Sequence, residues 1–266
     1  MRLGATLVHW SDAPPFVVAE WAEQLVAAGF ESLWAPEIIG RGSFVPDPFV
    51  TLAAAAAATK DIELGTATVQ VPLHHPAELA HRVLSLMSVC GGRLTLGVSP
   101  GSTQADFDVL DRDYTDRFAT FRRNTDRLRG LLAHGRDSLA ELAPPPAAGS
   151  GPPLLLGSWG ANVERAARDF DGWLASGFRR TPDQILAAHD RYRAAGGRRA
   201  VVCAVPVKGR EALDATAEVL QRYAQAGFDD AVVLFEPGGP DPEEVRALLP
   251  RSPSIPLRAD RRADCP

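Results

Sequence analysis

Eight short apolar runs, each followed by a stretch with helical periodicity, constrain this chain more than any other feature. The runs cover residues 2–8, 32–35, 62–69, 93–98, 154–157, 172–176, 200–205 and 231–235. Their apolar residues are largely contiguous rather than alternating, the pattern of strands buried on both faces. The helical stretches between and after them span 16–28, 48–58, 76–89, 115–133, 161–170, 182–195, 211–226 and 241–249. Several carry end signals. The first stops at Gly29, a residue free to take the left-handed conformation that closes helices. The third opens on Pro76, whose missing N–H costs nothing in a first turn. Thr181 is the expected N-cap of the sixth, which stops before Gly196-Gly197.

This alternation predicts a closed (β/α)8 TIM barrel, and 266 residues is close to the roughly 250 typical of that fold. A doubly wound open sheet usually has fewer units and a glycine-rich first turn. The first turn here reads His9-Trp10-Ser11-Asp12-Ala13-Pro14-Pro15. One barrel domain is expected over 1–249, with a Pro- and Arg-rich tail over 250–266 that carries no apolar period. The Pro/Gly/Ala-rich stretch 143–153 reads as a connector within the domain.

The remaining composition serves mainly to exclude. The net charge is −5 with the basic residues scattered, so no nucleic-acid footprint is expected. No apolar run approaches the ~18 residues of a membrane span, and residues 1–10 hold no signal-peptide core. Cys90, Cys203 and Cys265 are far apart and lack CxxC spacing, which argues against a zinc site or a disulfide framework. Cys90, on a helix, is expected to be a buried small hydrophobe. The expectation is a cytoplasmic protein whose partner is a small molecule.

In such barrels the chemistry is built from the loops that follow the strands. The fifth of these, Gly157-Ser158-Trp159-Gly160, is small and leads into a helix. Its backbone N–H groups could face an anion, or it could be a plain tight turn. The fourth loop, Ser99-Pro100-Gly101-Ser102, has the same small character, so the two could share one cradle. After the first strand, His9 could carry a proton or simply line a polar wall. After the second, Glu37 could bond a cofactor ring or form a salt bridge with Arg41. Neighbouring residues in a strand point to opposite sides, so His74 and His75 are poor candidates for one metal, and no metal site is expected. His75 reads instead as a residue that turns the chain into the helix at Pro76.

Taken together, several segments closely resemble the bacterial luciferase-like family of flavin- and deazaflavin-dependent oxidoreductases. They include Gly29-Phe30-Glu31-Ser32-Leu33-Trp34-Ala35-Pro36-Glu37, Asp47-Pro48-Phe49-Val50-Thr51-Leu52-Ala53 and Ile62-Glu63-Leu64-Gly65-Thr66. Others are His75-Pro76, Gly91-Gly92-Arg93-Leu94-Thr95-Leu96-Gly97-Val98, Leu156-Gly157-Ser158 and Asp171-Gly172-Trp173-Leu174. The likeness runs from the N-terminus to about Ser176 and thins beyond it.

The resemblance implies a barrel that binds FMN or coenzyme F-420 at the strand C-termini. It implies monooxygenation of a small organic substrate, or hydride transfer to or from one, with the cofactor carrying the hard chemistry. A non-proline cis peptide under the ring is implied at Ala67-Thr68. The cofactor tail maps to Ser99, Pro100, Gly101 and Ser102, and its phosphate to Ser158, Trp159 and Gly160. Glu37 matches the family's acid, and His9 or Glu37 would be the proton donor. Trp10, Ile38, Ile39 and Phe178 would supply the apolar walls of a dry pocket. Homodimers are the common assembly in the family. Two positions depart from the pattern: Ile38 and Ile39 stand where many members carry a histidine, and the fourth loop lacks its usual acid. These departures keep a second reading open, a flavin-binding or accessory barrel without turnover.

Overall fold

The computed structural model describes residues 1–8, 17–139, 141–142 and 151–250. Its strands are β1 (Arg2–Thr6), β2 (Ser32–Ala35), β3 (Glu63–Thr66), β4 (Val69–Gln70), β5 (Leu94–Ser99), β6 (Leu154–Gly157), β7 (Gly172–Ser176), β8 (Arg199–Val207) and β9 (Asp230–Phe235). All pair in parallel, and a β3–β5 pairing closes the sheet. β3 and β4 lie on the same neighbour, with Leu64 opposite Leu94 and Val69 opposite Val98. They are two halves of one barrel strand, parted at the Ala67-Thr68 peptide, which is cis. The barrel is therefore eight-fold, and the run expected over 62–69 is one barrel strand with a break inside it. The connector residues 143–150 and the tail residues 251–266 lie outside the described residues.

The helices are α1 (Val18–Ala28), α2 (Pro48–Ala58), α3 (Pro76–Cys90), α4 (Gln104–Asp108), α5 (Arg117–His134), α6 (Asn162–Asp169), α7 (Pro182–Ala194), α8 (Leu213–Gln225) and α9 (Pro242–Arg246). Thr181 caps α7 as expected, its hydroxyl accepting from the Gln184 N–H while the Gln184 side chain accepts from the Thr181 N–H. Gly29 ends α1 in the left-handed conformation. α4 was not expected. It forms because Asp106 and Phe107 are both fully buried there, and Phe107 packs edge-on against Tyr114. Cys90 is buried at the end of α3, as the sequence predicts.

Two apolar layers result. The larger one fills the space between strands and helices. The smaller one fills the barrel itself and consists of Trp34, Leu155, Leu174, Val201, Cys203 and Val232. Trp34 fits only because its neighbour on β3 is Gly65, where a Cβ would lie 2.3 Å from the indole. The indole N–H donates to the Ser32 hydroxyl at 2.9 Å.

Below this layer, the first residues of four strands form a charged floor. Arg2 and Arg199 each bridge Glu63 and Asp230, at distances from 2.5 to 2.9 Å. Burial pushes the Glu63 carboxyl up, but the two guanidiniums outweigh it and hold the group at about 2. With the N-terminal end closed in this way, the C-terminal end is left for a ligand.

Candidate active site

A cavity of about 480 Å³ opens at the C-terminal ends of the strands. Every barrel strand contributes to it. Thr6 comes from β1, Glu37 follows β2, and Ala67 and Thr68 stand at the break between β3 and β4. Ser99 ends β5 and Pro100 to Ser102 follow it, Gly157 ends β6 and Ser158 and Trp159 follow it, and Ser176, Cys203 and Leu234 come from the last three strands. β8 has an irregular register against β9 between Val202 and Val205. Ala204 sits there at φ 55, which turns Cys203 and Ala204 onto the cavity wall.

The residues expected at the cofactor site are brought together here. Ala67, Thr68, Ser99, Pro100, Gly101, Ser102, Ser158 and Trp159 all line the cavity. The Thr68 hydroxyl donates to the Ser99 hydroxyl at 2.7 Å, and the Gly101 N–H donates to that same oxygen at 3.4 Å. The Thr68 methyl packs on Gly157, where a Cβ would stand 2.5 Å from it. Gly160 is the exception: it is exposed, turns at φ 64 ahead of α6, and is not part of the cavity wall. Of the expected apolar walls, Ile38 and Phe178 line the cavity, whereas Ile39 does not. His9 and Trp10 lie outside the described residues.

Glu37 lines the cavity but does not bond Arg41. The Glu37 carboxylate is buried, with one oxygen accepting the Gln70 N–H and the other 2.7 Å from His74 Nε2. Arg41 is drawn instead to Asp106, with Nη2 2.6 Å from Oδ2. Asp106 also accepts from the Gln70 amide and the Gly40 N–H. Burial pushes the Asp106 carboxyl up, but the hydrogen bonds from Arg41, Gln70 and Gly40 bring it below the usual carboxylate range. Glu37 thus ties the loop after β2 to β4 and to His74, and Asp106 ties the loop after β5 to the loop after β2 and to Gln70.

Sequence reasoning missed three contributors. His74 has an acid partner, but that partner lies 37 residues away on another loop, beyond the reach of any spacing rule. Asp106 stands on a helix too short to show a period. Thr6 could have been read from inward alternation at the end of β1. The Thr6 hydroxyl and the Gln70 side-chain oxygen are buried without a hydrogen-bond partner, on residues that line the cavity. A buried polar atom left this way costs roughly 1–3 kcal/mol; each can take a bond from a group in the cavity, Thr6 as donor or acceptor and Gln70 Oε1 as acceptor.

The sequence profile of luciferase-like monooxygenases matches residues 8–252. The chain belongs to the luciferase-like monooxygenase family. The match runs well past Ser176, through the last strand of this luciferase-like barrel. Among its relatives is the 4-hydroxyprotoasukamycin monooxygenase of Streptomyces nodosus subsp. asukaensis, 39% identical over 43% of this chain and 30% of that protein. Another is the F-420-dependent hydroxymycolic acid dehydrogenase of Mycobacterium tuberculosis, 28% identical over 74% of this chain and 58% of that protein. The matched stretches thus span less than two thirds of the length of these relatives. Among solved structures, monooxygenase RslO1 from Streptomyces bottropensis superposes with a TM-score of 0.75 at 20% identity, covering 93% of this chain and 96% of that one. Among the described residues of this luciferase-like chain, no three metal-binding side chains cluster and no helix is long and apolar enough to cross a membrane.

Proposed function

We propose that this luciferase-like barrel is an oxidoreductase that holds FMN or coenzyme F-420 in its mouth and acts on a small organic substrate. The observation that carries the reading is the seat formed by Thr68, Ser99 and Gly157, flanked by the unpartnered Thr6 hydroxyl and Gln70 carbonyl. A flat ring with polar edges suits such a seat, and about 480 Å³ is within the range of small-molecule sites. The F-420-dependent dehydrogenase among the relatives supports the deazaflavin choice, and the oxygenase component of the flavin-dependent trigonelline monooxygenase of Acinetobacter baylyi, 31% identical over 31% of this chain and 23% of that protein, supports the flavin choice.

When bound, the cofactor supplies the redox chemistry, as oxygen activation or as hydride transfer. The chain's own residues do the rest. Ser158, Trp159 and the first turn of α6 take the phosphate, where backbone N–H groups and the helix dipole favour an anion. Ser99 to Ser102 hold the tail. Thr6 and Gln70 fix the polar edge of the ring. Leu174, Cys203 and Leu234 keep water from the buried side. Glu37, with both oxygens engaged, positions Gln70. His9 is the proton carrier in this reading.

Fluorescence titration of the full chain with FMN and with F-420, each alone, tests the proposal. One of the two should bind in the micromolar range. Gly157→Val should weaken that binding about tenfold or more with the circular dichroism spectrum unchanged. Failure of both cofactors to bind at high micromolar concentration would overturn the reading.

A further inference from the structure

The residues assigned to the cofactor occupy one side of the cavity. Thr68 precedes β4, Ser99 to Ser102 stand at the end of β5, and Ser158 and Trp159 follow β6. The sheet order continues from β6 to β7, β8 and β9 and so back to β1. These strands form an arc that faces the cofactor side across the barrel. They bring Ser176, Cys203, Ala204 and Leu234 to the cavity wall, and Val8 joins them after β1. Among the described residues, β7, β8 and β9 place no charged side chain on that wall.

The arc departs from regular strand geometry at one point. Val202 of β8 pairs with Ala231 of β9, and Val205 pairs with Val233. Cys203 and Ala204 therefore both stand opposite Val232, which is the count of a β-bulge. In a regular strand one of two successive side chains would point out toward the helices. Here both line the cavity, while Val202 and Val205 pack in the outer apolar layer. The register to β7 holds up to the bulge. Ser176 lies opposite Cys203, and the Gly177 N–H donates to the Cys203 carbonyl at 2.7 Å.

Ala204 has φ 55, a conformation open to glycine and strained for any residue with a side chain. Glycine would relieve the backbone, yet the chain carries a methyl group there, half-buried on the cavity wall. A strained residue held at a ligand cavity points to a role for its side chain. Cys203 beside it is buried, and burial pushes its thiol up, so it is a neutral wall rather than a nucleophile.

We propose that Ala204 is a specificity-determining residue: the bulge sets its methyl into the half of the cavity opposite the cofactor, where it limits the girth of a substrate whose apolar body lies along β7, β8 and β9. This rests on the oxidoreductase reading for the place of the cofactor and for the word substrate. Ser176 supplies the hydroxyl of this wall, which suits an uncharged carbonyl or hydroxyl on the apolar body.

Cyclohexanone and the bulkier 2-adamantanone share one functional group and differ in girth. Each is titrated calorimetrically into the full chain, loaded with FMN or F-420 where one of them binds and alone otherwise. Cofactor affinity is measured in parallel by fluorescence. In Ala204→Gly, binding of 2-adamantanone relative to cyclohexanone should improve about fivefold or more over the wild type. In Ala204→Leu, 2-adamantanone should weaken about tenfold or more, and cyclohexanone less. Both variants should keep cofactor affinity within about twofold. The urea midpoint of Ala204→Gly should not fall below that of the wild type, because glycine suits φ 55. Its altered selectivity then cannot come from a damaged fold, and it carries the test if Ala204→Leu misfolds.

An unchanged ratio of the two probes in Ala204→Gly would overturn the proposal and leave the bulge as a device for closing the barrel. So would the absence of measurable probe binding to the wild type. A cofactor affinity that falls together with probe binding would also overturn it, because the ring itself would then lie against Ala204. A shifted ratio in a chain that binds neither cofactor would sink the oxidoreductase reading and leave Ala204 as the limit of an apolar pocket.

Discussion

Glu37 and His74 show how a single pair can decide the shape of a site. The acid follows β2 and the histidine follows β4, and they meet at 2.7 Å with both side chains nearly excluded from water. The second carboxylate oxygen of Glu37 caps the Gln70 N–H, so Glu37 ties the broken third strand to the second loop. Removing one member of a buried pair leaves the other without compensation, which usually costs more than the pair itself contributes. His74→Ala should therefore lower stability by about 3 kcal/mol, read from urea unfolding. Glu37→Gln, which keeps an oxygen for the Gln70 N–H, should cost about half as much. A loss below about 0.5 kcal/mol for His74→Ala would mean that water replaces the imidazole, and that Glu37 is more accessible than its burial indicates.

At the scale of elements, the close fit of β2 against β3 is the most testable feature. Trp34 points into the barrel and lies over Gly65, with which it is paired in register. Gly65→Ala should cost about 2 kcal/mol from overpacking, although alanine suits a strand better than glycine does. Trp34→Leu in the Gly65→Ala background should recover part of that loss, giving a coupling of about 1 kcal/mol in a double-mutant cycle. Additive losses would show that the indole shifts aside freely. The same elements explain what the sequence could reveal. Strands covered on both faces read as contiguous apolar runs, so all eight barrel positions were legible from runs such as 154–157 and 231–235. The break inside the third strand was not, because Gly65-Thr66-Ala67-Thr68-Val69 reads as continuous β-forming sequence, and only the family resemblance pointed to it. The candidate site was legible where one loop holds its residues in sequence, as Ser99 to Ser102 do. It was illegible where partners come from different loops, as with Glu37 and His74 or Arg41 and Asp106. The short helix bearing Asp106 left no period to read.

Over the whole molecule, burial and ion pairing determine which groups can make the fold sensitive to acid. The floor is balanced. Glu63 titrates only near about 2 and stays ionised through ordinary conditions. Asp230 goes the other way: burial pushes it up more than Arg199 and Arg2 bring it down. A carboxyl raised by folding takes its proton in the folded state first, so as pH falls past its range Asp230 favours the fold. Neither would make the fold lose stability on mild acidification. His189 of α7 would. The His189 ring stacks on Phe228 at 4.1 Å, and Nε2 accepts from Arg193 Nε at 3.0 Å, an arrangement open only to the neutral ring. Burial, and then the Arg193 charge, lower this histidine from 6.5 to about 4. Between those values the unfolded chain binds a proton that the folded one refuses, so stability is complete above 6.5 and falls as pH drops toward 4. The loss should be roughly 2 kcal/mol across that window. His189→Gln retains an acceptor for Arg193 but does not titrate. Its urea midpoints, taken from about pH 7.5 to about pH 4.5, should be flatter than those of the wild type by that amount. Parallel curves for the two proteins would remove His189 from the account and assign the acid response to surface carboxylates.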